Sequence, residues 1–278
     1  MNYILFGLGM ISSVLIHVFC HWYTSWWNIL TFIGMTLACT IAWLIIYFGI
    51  LFVSGLFCNK KKETKFNSFF RWIFVETDKI CLHLVNVHIH VEGKEKIPKG
   101  QKYLMVSNHL SNYDPMSILR TFSKDKIIFV SKPENFNIPM VGAMMHRAGF
   151  MAIDRDNVRN AIVTINKAAD YIKNDTACVF IFPEGTRNRT QKPLLEFRNG
   201  AFKIATKAGC PLVIVSVAET EKVKHNIPRR SDVYVKVLDV IPAEKVKEMR
   251  TADISEYAWK LIYDATTHGI KEETKINE

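Results

Sequence analysis

The 278-residue chain carries 36 basic and 26 acidic residues, a net charge of +10, and is 49% hydrophobic. A basic balance draws anionic partners; the lack of zinc-finger spacing or an arginine-rich tail argues against nucleic acid and leaves lipid or phosphorylated substrates. The six cysteines, at 20, 39, 58, 81, 178 and 210, form no C-x-x-C pair, and read as small apolar residues of a reducing compartment, not a disulfide or zinc framework.

Residues 1–59 contain no Lys, Arg, Asp or Glu. A soluble surface is solvated by charge, so this segment predicts a hydrophobic helical membrane anchor. A bilayer-crossing helix needs roughly 20 apolar residues. The run 28–58 meets that easily and the run 3–19 is marginal. His17, His21, Trp22, Tyr23, Trp26 and Trp27 cluster at the end of the first run, and the Trp and Tyr between the two runs suit an interfacial belt. Lys60, Lys61 and Lys62 then mark a cytoplasmic boundary, which places the globular segment on the cytoplasmic face. Two spans or a re-entrant hairpin give that same side. A cleaved signal peptide is disfavoured, because the first run lacks a positive n-region and a small-residue cleavage site.

Residues 60–85 predict an amphipathic connecting helix. Phe66, Phe69, Phe70, Ile73, Phe74, Ile80, Cys81 and Leu84 recur at helical spacing, facing either the core or a bilayer interface. Residues 86–278 predict an α/β domain. Apolar runs predict strands over 87–91, 103–106, 127–130, 149–153, 178–182, 211–217 and 233–240. Helical patterns fall at 138–146, 156–173 and 200–208. A last helix comes after a capping box at Asp253 and Glu256, with a frayed polar tail from Lys271. His88 and His90 share one face of the first strand without a third ligand, so they read as solvent-facing. Alternating strands and helices imply a mixed, largely parallel sheet flanked by helices. In such sheets ligands sit beyond the carboxyl ends of the strands.

Two polar islands come directly after strands. In the first, Asn108-His109-Leu110-Ser111-Asn112-Tyr113-Asp114-Pro115, an imidazole can act as a general base near neutral pH. A carboxylate on its other nitrogen would fix the tautomer and stabilise the imidazolium. Five helical residues would put the two groups on different faces, so they meet if a turn separates them and a helix opens at Asp114-Pro115. The plainer alternative is that Asp114 only caps a helix and His109 is a loop residue. In the second island, Phe182-Pro183-Glu184-Gly185-Thr186-Arg187, Arg187 can grip a phosphate bidentately. Gly185 lets backbone N–H groups approach it, and Glu184 can hold a hydroxyl. A solvated surface turn is the alternative. There is no G-x-S-x-G elbow, P-loop or H-E-x-x-H, and neither island holds a cysteine nucleophile, so direct transfer is simpler than a covalent enzyme intermediate.

Taken together these blocks resemble the glycerolipid acyltransferases, specifically the 1-acyl-sn-glycerol-3-phosphate acyltransferases. The resemblance covers about residues 91–217. It rests on N-H-x-x-x-x-D at Asn108, His109 and Asp114, and on Ser131-Lys132-Pro133-Glu134 with Pro139 and Gly142. Gly149, Phe150, Ile153, Asp154 and Arg155 form a further block, followed by the complete F-P-E-G-T-R at 182–187 and a proline-opened strand at Pro211. It implies that His109, oriented by Asp114, deprotonates the sn-2 hydroxyl of lysophosphatidic acid for attack on an acyl thioester. Glu184, Gly185, Thr186 and Arg187, with Arg155 and Lys132, would hold the glycerol phosphate. Pro183 and Pro211 would be structural or shape the acyl site. The implied partners are lysophosphatidic acid, acyl-CoA or acyl carrier protein, and membrane phospholipid, with no metal and no further cofactor. The alternatives are another lysophospholipid or glycerol 3-phosphate as acceptor, or a membrane-tethered lipid-binding protein without turnover. Two departures, Ile214 where relatives often carry a second proline and Leu195-Glu196-Phe197-Arg198 where they often show F-K, bear on the shape of the acyl site.

Overall fold

A computed structural model describes residues 2–22, 27–59 and 64–276. Tyr23, Trp26 and the Lys60, Lys61 and Lys62 run lie outside them. The first helices are α1 (Asn2–Phe19), α2 (Asn28–Leu56) and α3 (Ser68–Leu84). The body continues with β1 (Val87–Glu92), β2 (Leu104–Ser107), α4 (Tyr113–Thr121), β3 (Ile127–Ser131), α5 (Val141–Ala148), β4 (Met151–Ala152) and α6 (Val158–Lys173). It closes with β5 (Cys178–Ile181), α7 (Lys203–Ala208), β6 (Leu212–Ala218), α8 (Val223–Asn226), β7 (Ser231–Ile241), α9 (Ala243–Glu248) and α10 (Thr251–Ile276).

The seven strands form one sheet in the order β1-β7-β6-β2-β5-β3-β4. β6 and β7 are antiparallel and every other neighbouring pair is parallel. Strand composition follows position. β2 and β5 lie centrally and are apolar and buried throughout, as strands covered on both faces must be. β7 alternates buried Val233, Val235 and Val237 with exposed Tyr234 and Lys236, the pattern of a strand with one wet face. His88 and His90 are exposed on β1 as expected; His90 bonds Asp232 at 2.6 Å and stacks on Tyr234.

α2 is long and apolar enough to cross a membrane, and its apolar window is only 6% buried. α1 folds back along it. His17 bonds Ser13 O and Thr31 Oγ1, and Trp43 Nε1 donates to Ser12 Oγ. The lower end of α2 rests on the globular body: Tyr47 bonds Thr77, and Arg147 donates to Ser54 O. α3 is part of that body. Its Val75, Ile80 and Leu82 are buried, and Arg71 spans to Ile127 O and Ser123 O. Phe69, Trp72 and Leu84, from or beside the expected apolar stripe, stay exposed.

Several boundaries differ from the expectations. α4 opens at Tyr113 after Asn112, so Asp114 lies inside its first turn and does not cap it. Asp253 chelates Arg250 across a turn at 2.9 and 2.8 Å, so it does not form the expected capping box. α10 continues through Lys271 to Ile276. Cys20 is exposed and Cys39, Cys58 and Cys81 are half-buried; only Cys178 and Cys210 are buried as small apolar residues. The first two turns of α6 leave Val158 and Ile162 in the open.

Candidate active site

Four parallel strands, β2, β5, β3 and β4, stand side by side, so their carboxyl ends share one edge. His109 follows β2, Glu184–Arg187 follows β5, Lys132 follows β3, and Arg155 follows β4. Segments up to 78 residues apart therefore converge without any long-range signal in the chain. His109, Lys132, Arg155, Gly185, Thr186 and Arg187 line one cavity of about 360 Å³. At ~30 Å³ per water-sized group it holds about a dozen such groups, more than a phosphate needs. Its other wall is apolar: Phe74, Leu119, Phe129, Ile138, Met145 and Phe150.

His109 Nδ1 lies 2.6 Å from Asp114 Oδ2. The same oxygen accepts from the N–H groups of Leu110 at 2.6 Å and Ser111 at 2.8 Å, and Oδ1 accepts from the Thr220 hydroxyl. Four donors thus converge on this carboxyl group, three of them on Oδ2. Asp114 is fully buried, so an acceptor-only carboxylate assigns the Nδ1 proton to His109 and leaves Nε2 with its lone pair. The ring is fixed from below by Phe182, stacked at 3.9 Å between centroids and 10° between planes. Asn108 anchors the loop, exchanging two hydrogen bonds with Val217 of β6, at 2.8 and 2.9 Å.

Glu184 does not hold a substrate hydroxyl as expected. It is 4% exposed and turns inward, accepting from His109 N at 2.6 Å and Leu195 N at 3.2 Å. Burial pushes its carboxyl up to about 7, against the pull of those two N–H groups. It fastens the two loops together.

Gly185 also acts differently. Its N–H is spent on Phe182 O. Its φ of +79° and the absent Cβ matter instead: a Cβ there would stand 2.7 Å from Arg155 Nη1 and 3.0 Å from Arg198 Nε. Two guanidiniums thus crowd one loop. Burial first, then the Arg198 charge, pulls Arg155 below the usual arginine value. Arg155 Nη1 is buried without a hydrogen-bond partner among the described residues. Arg187 donates to Asn112 Oδ1 at 2.7 Å, which ties it to the His109 loop. Lys132 is exposed at the cavity margin.

The two prolines stand outside the cavity. Pro183 is buried and its carbonyl accepts from Arg198 N at 2.9 Å. Pro211 precedes β6, at the sheet edge opposite the site, and accepts from Leu104 N at 3.1 Å. That position suits the structural alternative. Sequence reasoning gave no individual role to Thr220, Phe182, Asn112 or Arg198. Asn112 and Phe182 sit inside the two islands, and Arg198 closes the 195–198 stretch tied above to the acyl site. Thr220, 106 residues from Asp114, carries no local signal. Among the described residues no group of three or more His, Cys, Asp or Glu is placed to hold a metal ion.

Residues 88–218 match the family model described as Acyltransferase. The chain is 30% identical over 174 residues to a 1-acyl-sn-glycerol-3-phosphate acyltransferase of Haemophilus influenzae, covering 61% of this chain and 72% of that protein. It is 28% identical over 177 residues to the Saccharomyces cerevisiae protein of the same name, covering 62% of this chain but only 58% of that relative. A crystal structure of the 1-acyl-sn-glycerophosphate (LPA) acyltransferase from Thermotoga maritima superposes with a TM-score of 0.61 at 19% identity, over 96% of this chain and 97% of that one.

Proposed function

The chain belongs to the 1-acyl-sn-glycerol-3-phosphate acyltransferase family, and from that premise we propose that it transfers an acyl group from a thioester to the sn-2 hydroxyl of lysophosphatidic acid, giving phosphatidic acid. One observation carries this reading. A histidine with a free Nε2 and the half-buried Arg155, whose Nη1 has no hydrogen-bond partner among the described residues, border one cavity that also has an apolar wall.

His109 Nε2 removes the sn-2 hydroxyl proton. The oxygen attacks the thioester carbonyl carbon, and the tetrahedral adduct collapses with loss of the thiol. The thiol takes the proton back from His109, so the enzyme ends as it began. Asp114 stabilises the imidazolium between the two transfers. Arg155, Arg187 and Lys132 hold the glycerol phosphate, with the Gly185-Thr186 backbone beside them. The acyl chain lies along Phe74, Leu119, Phe129 and Phe150. The donor is acyl-CoA or acyl carrier protein, and no metal takes part. α1 and α2 hold the enzyme in phospholipid with its catalytic domain on the cytoplasmic face, where a lysolipid that partitions into membrane reaches the cavity directly.

The test supplies purified protein with a labelled acyl thioester and one of three acceptors: lysophosphatidic acid, glycerol 3-phosphate or lysophosphatidylcholine. The expected result is labelled phosphatidic acid, with the other acceptors far behind. Equal or faster product from either of them would overturn the acceptor assignment.

A further inference from the structure

Asp78 lies on α3, on the wall of the active-site cavity, among Phe74, Leu119, Phe129, Met145 and Phe150. The reaction has no use for a carboxyl there. It is 6% exposed, and its Oδ2 is buried without a hydrogen-bond partner among the described residues. Native proteins rarely leave such a group unpaired.

We propose that Asp78 is a specificity-determining residue for the acyl donor, its carboxyl hydrogen-bonding a hydroxyl carried on the acyl chain, so that the pocket selects hydroxylated over unsubstituted chains. The inference rests on the acyltransferase reading, with the apolar wall as the acyl-chain site. Burial holds Asp78 well above the usual carboxylate range, and Arg120 and Lys79 only partly offset it. Lys79 is already paired with Glu76 at 2.6 Å. In the protonated form, which burial favours, the group has one O–H to donate and a carbonyl to accept. A hydroxyl also donates and accepts, so the two match in both directions. A plain methylene chain packed against Asp78 would seal an unpaired polar group. Such a group discriminates against the partner that lacks the matching function.

The experiment uses the full-length protein in phospholipid-containing micelles with lysophosphatidic acid as acceptor. Saturated straight-chain donors are compared with chains of equal length bearing one hydroxyl at successive positions, each as CoA and carrier-protein thioester. We expect kcat/KM to favour the best hydroxylated chain by about tenfold. Asp78→Asn keeps both a donor and an acceptor and should retain the preference, while Asp78→Leu should reverse it. Brisk transfer with no hydroxylated chain favoured over its parent would overturn this inference alone. A preference that survives in Asp78→Leu would do the same. No transfer from any thioester would overturn the acyltransferase reading and this inference with it. Should Asp78→Leu fail to fold, the wild-type ratio still decides.

Discussion

Glu184 takes a hydrogen bond from each of two loops while buried, and its carboxyl is pushed up to about 7. An unfolded glutamate ionises near 4.5, so between those values the folded state binds more protons. Stability present below pH 4.5 is therefore lost as pH rises to about 7, by up to ~3 kcal/mol. The melting temperature of wild type relative to Glu184→Gln should fall across that window and level off above it; parallel profiles would contradict the assignment. At Gly185 both the positive φ and the guanidinium at 2.7 Å oppose a side chain. Gly185→Ala should cost about 1–3 kcal/mol of stability. It should also raise the lysophosphatidate KM more than it lowers kcat, as steady-state kinetics would show. The sequence marked Glu184 and Gly185 as site residues and misjudged both jobs. A side chain's type is visible in a motif, but whether it faces the ligand or the protein is decided by packing.

Helix α1 packs tightly on α2 at Gly9, where a Cβ would lie 2.9 Å from the backbone of Thr40. Gly9→Leu should force the helices apart and cost ~1–3 kcal/mol, read as a lower melting temperature in detergent; an unchanged value would mean that the contact is not made. Elements with strong periodicity were legible. β2 and β5 read as buried runs, and α6 follows its apolar spacing at Ile165, Ala168, Ala169 and Ile172. Helix ends were not. The pair Asp114-Pro115 looks like a cap and first turn, but the four donors around Asp114 draw its carboxylate toward His109 instead. α9 is too short to show a period and went unpredicted.

At the scale of the molecule, the alternation of strand and helix gave the α/β class, and the parallel centre places the polar islands on one edge. What the chain does not display is how distant segments brace the site. Trp259 on α10 donates to Leu195 O at 3.0 Å, and Leu195 N in turn holds Glu184. Nor does it show that α3, 25 residues before the first motif, supplies the cavity wall. α2 is long and apolar enough to cross a membrane, and its apolar window is almost wholly unburied. The protein should stay in the membrane fraction through a high-salt wash and be released by detergent, as a fractionation would show. Release by salt alone would mean that charge, not the apolar hairpin, holds it.

The proposed reaction divides its work, with the proton given to His109 and the phosphate to Arg155 and Arg187. Steady-state acyl transfer to lysophosphatidic acid by His109→Ala, Arg155→Ala and Arg187→Ala tests that division. Loss of turnover with retained lysophosphatidate binding is expected in His109→Ala, and a raised acceptor KM with measurable kcat in the two arginine variants. Product formed at the wild-type rate by His109→Ala would contradict it.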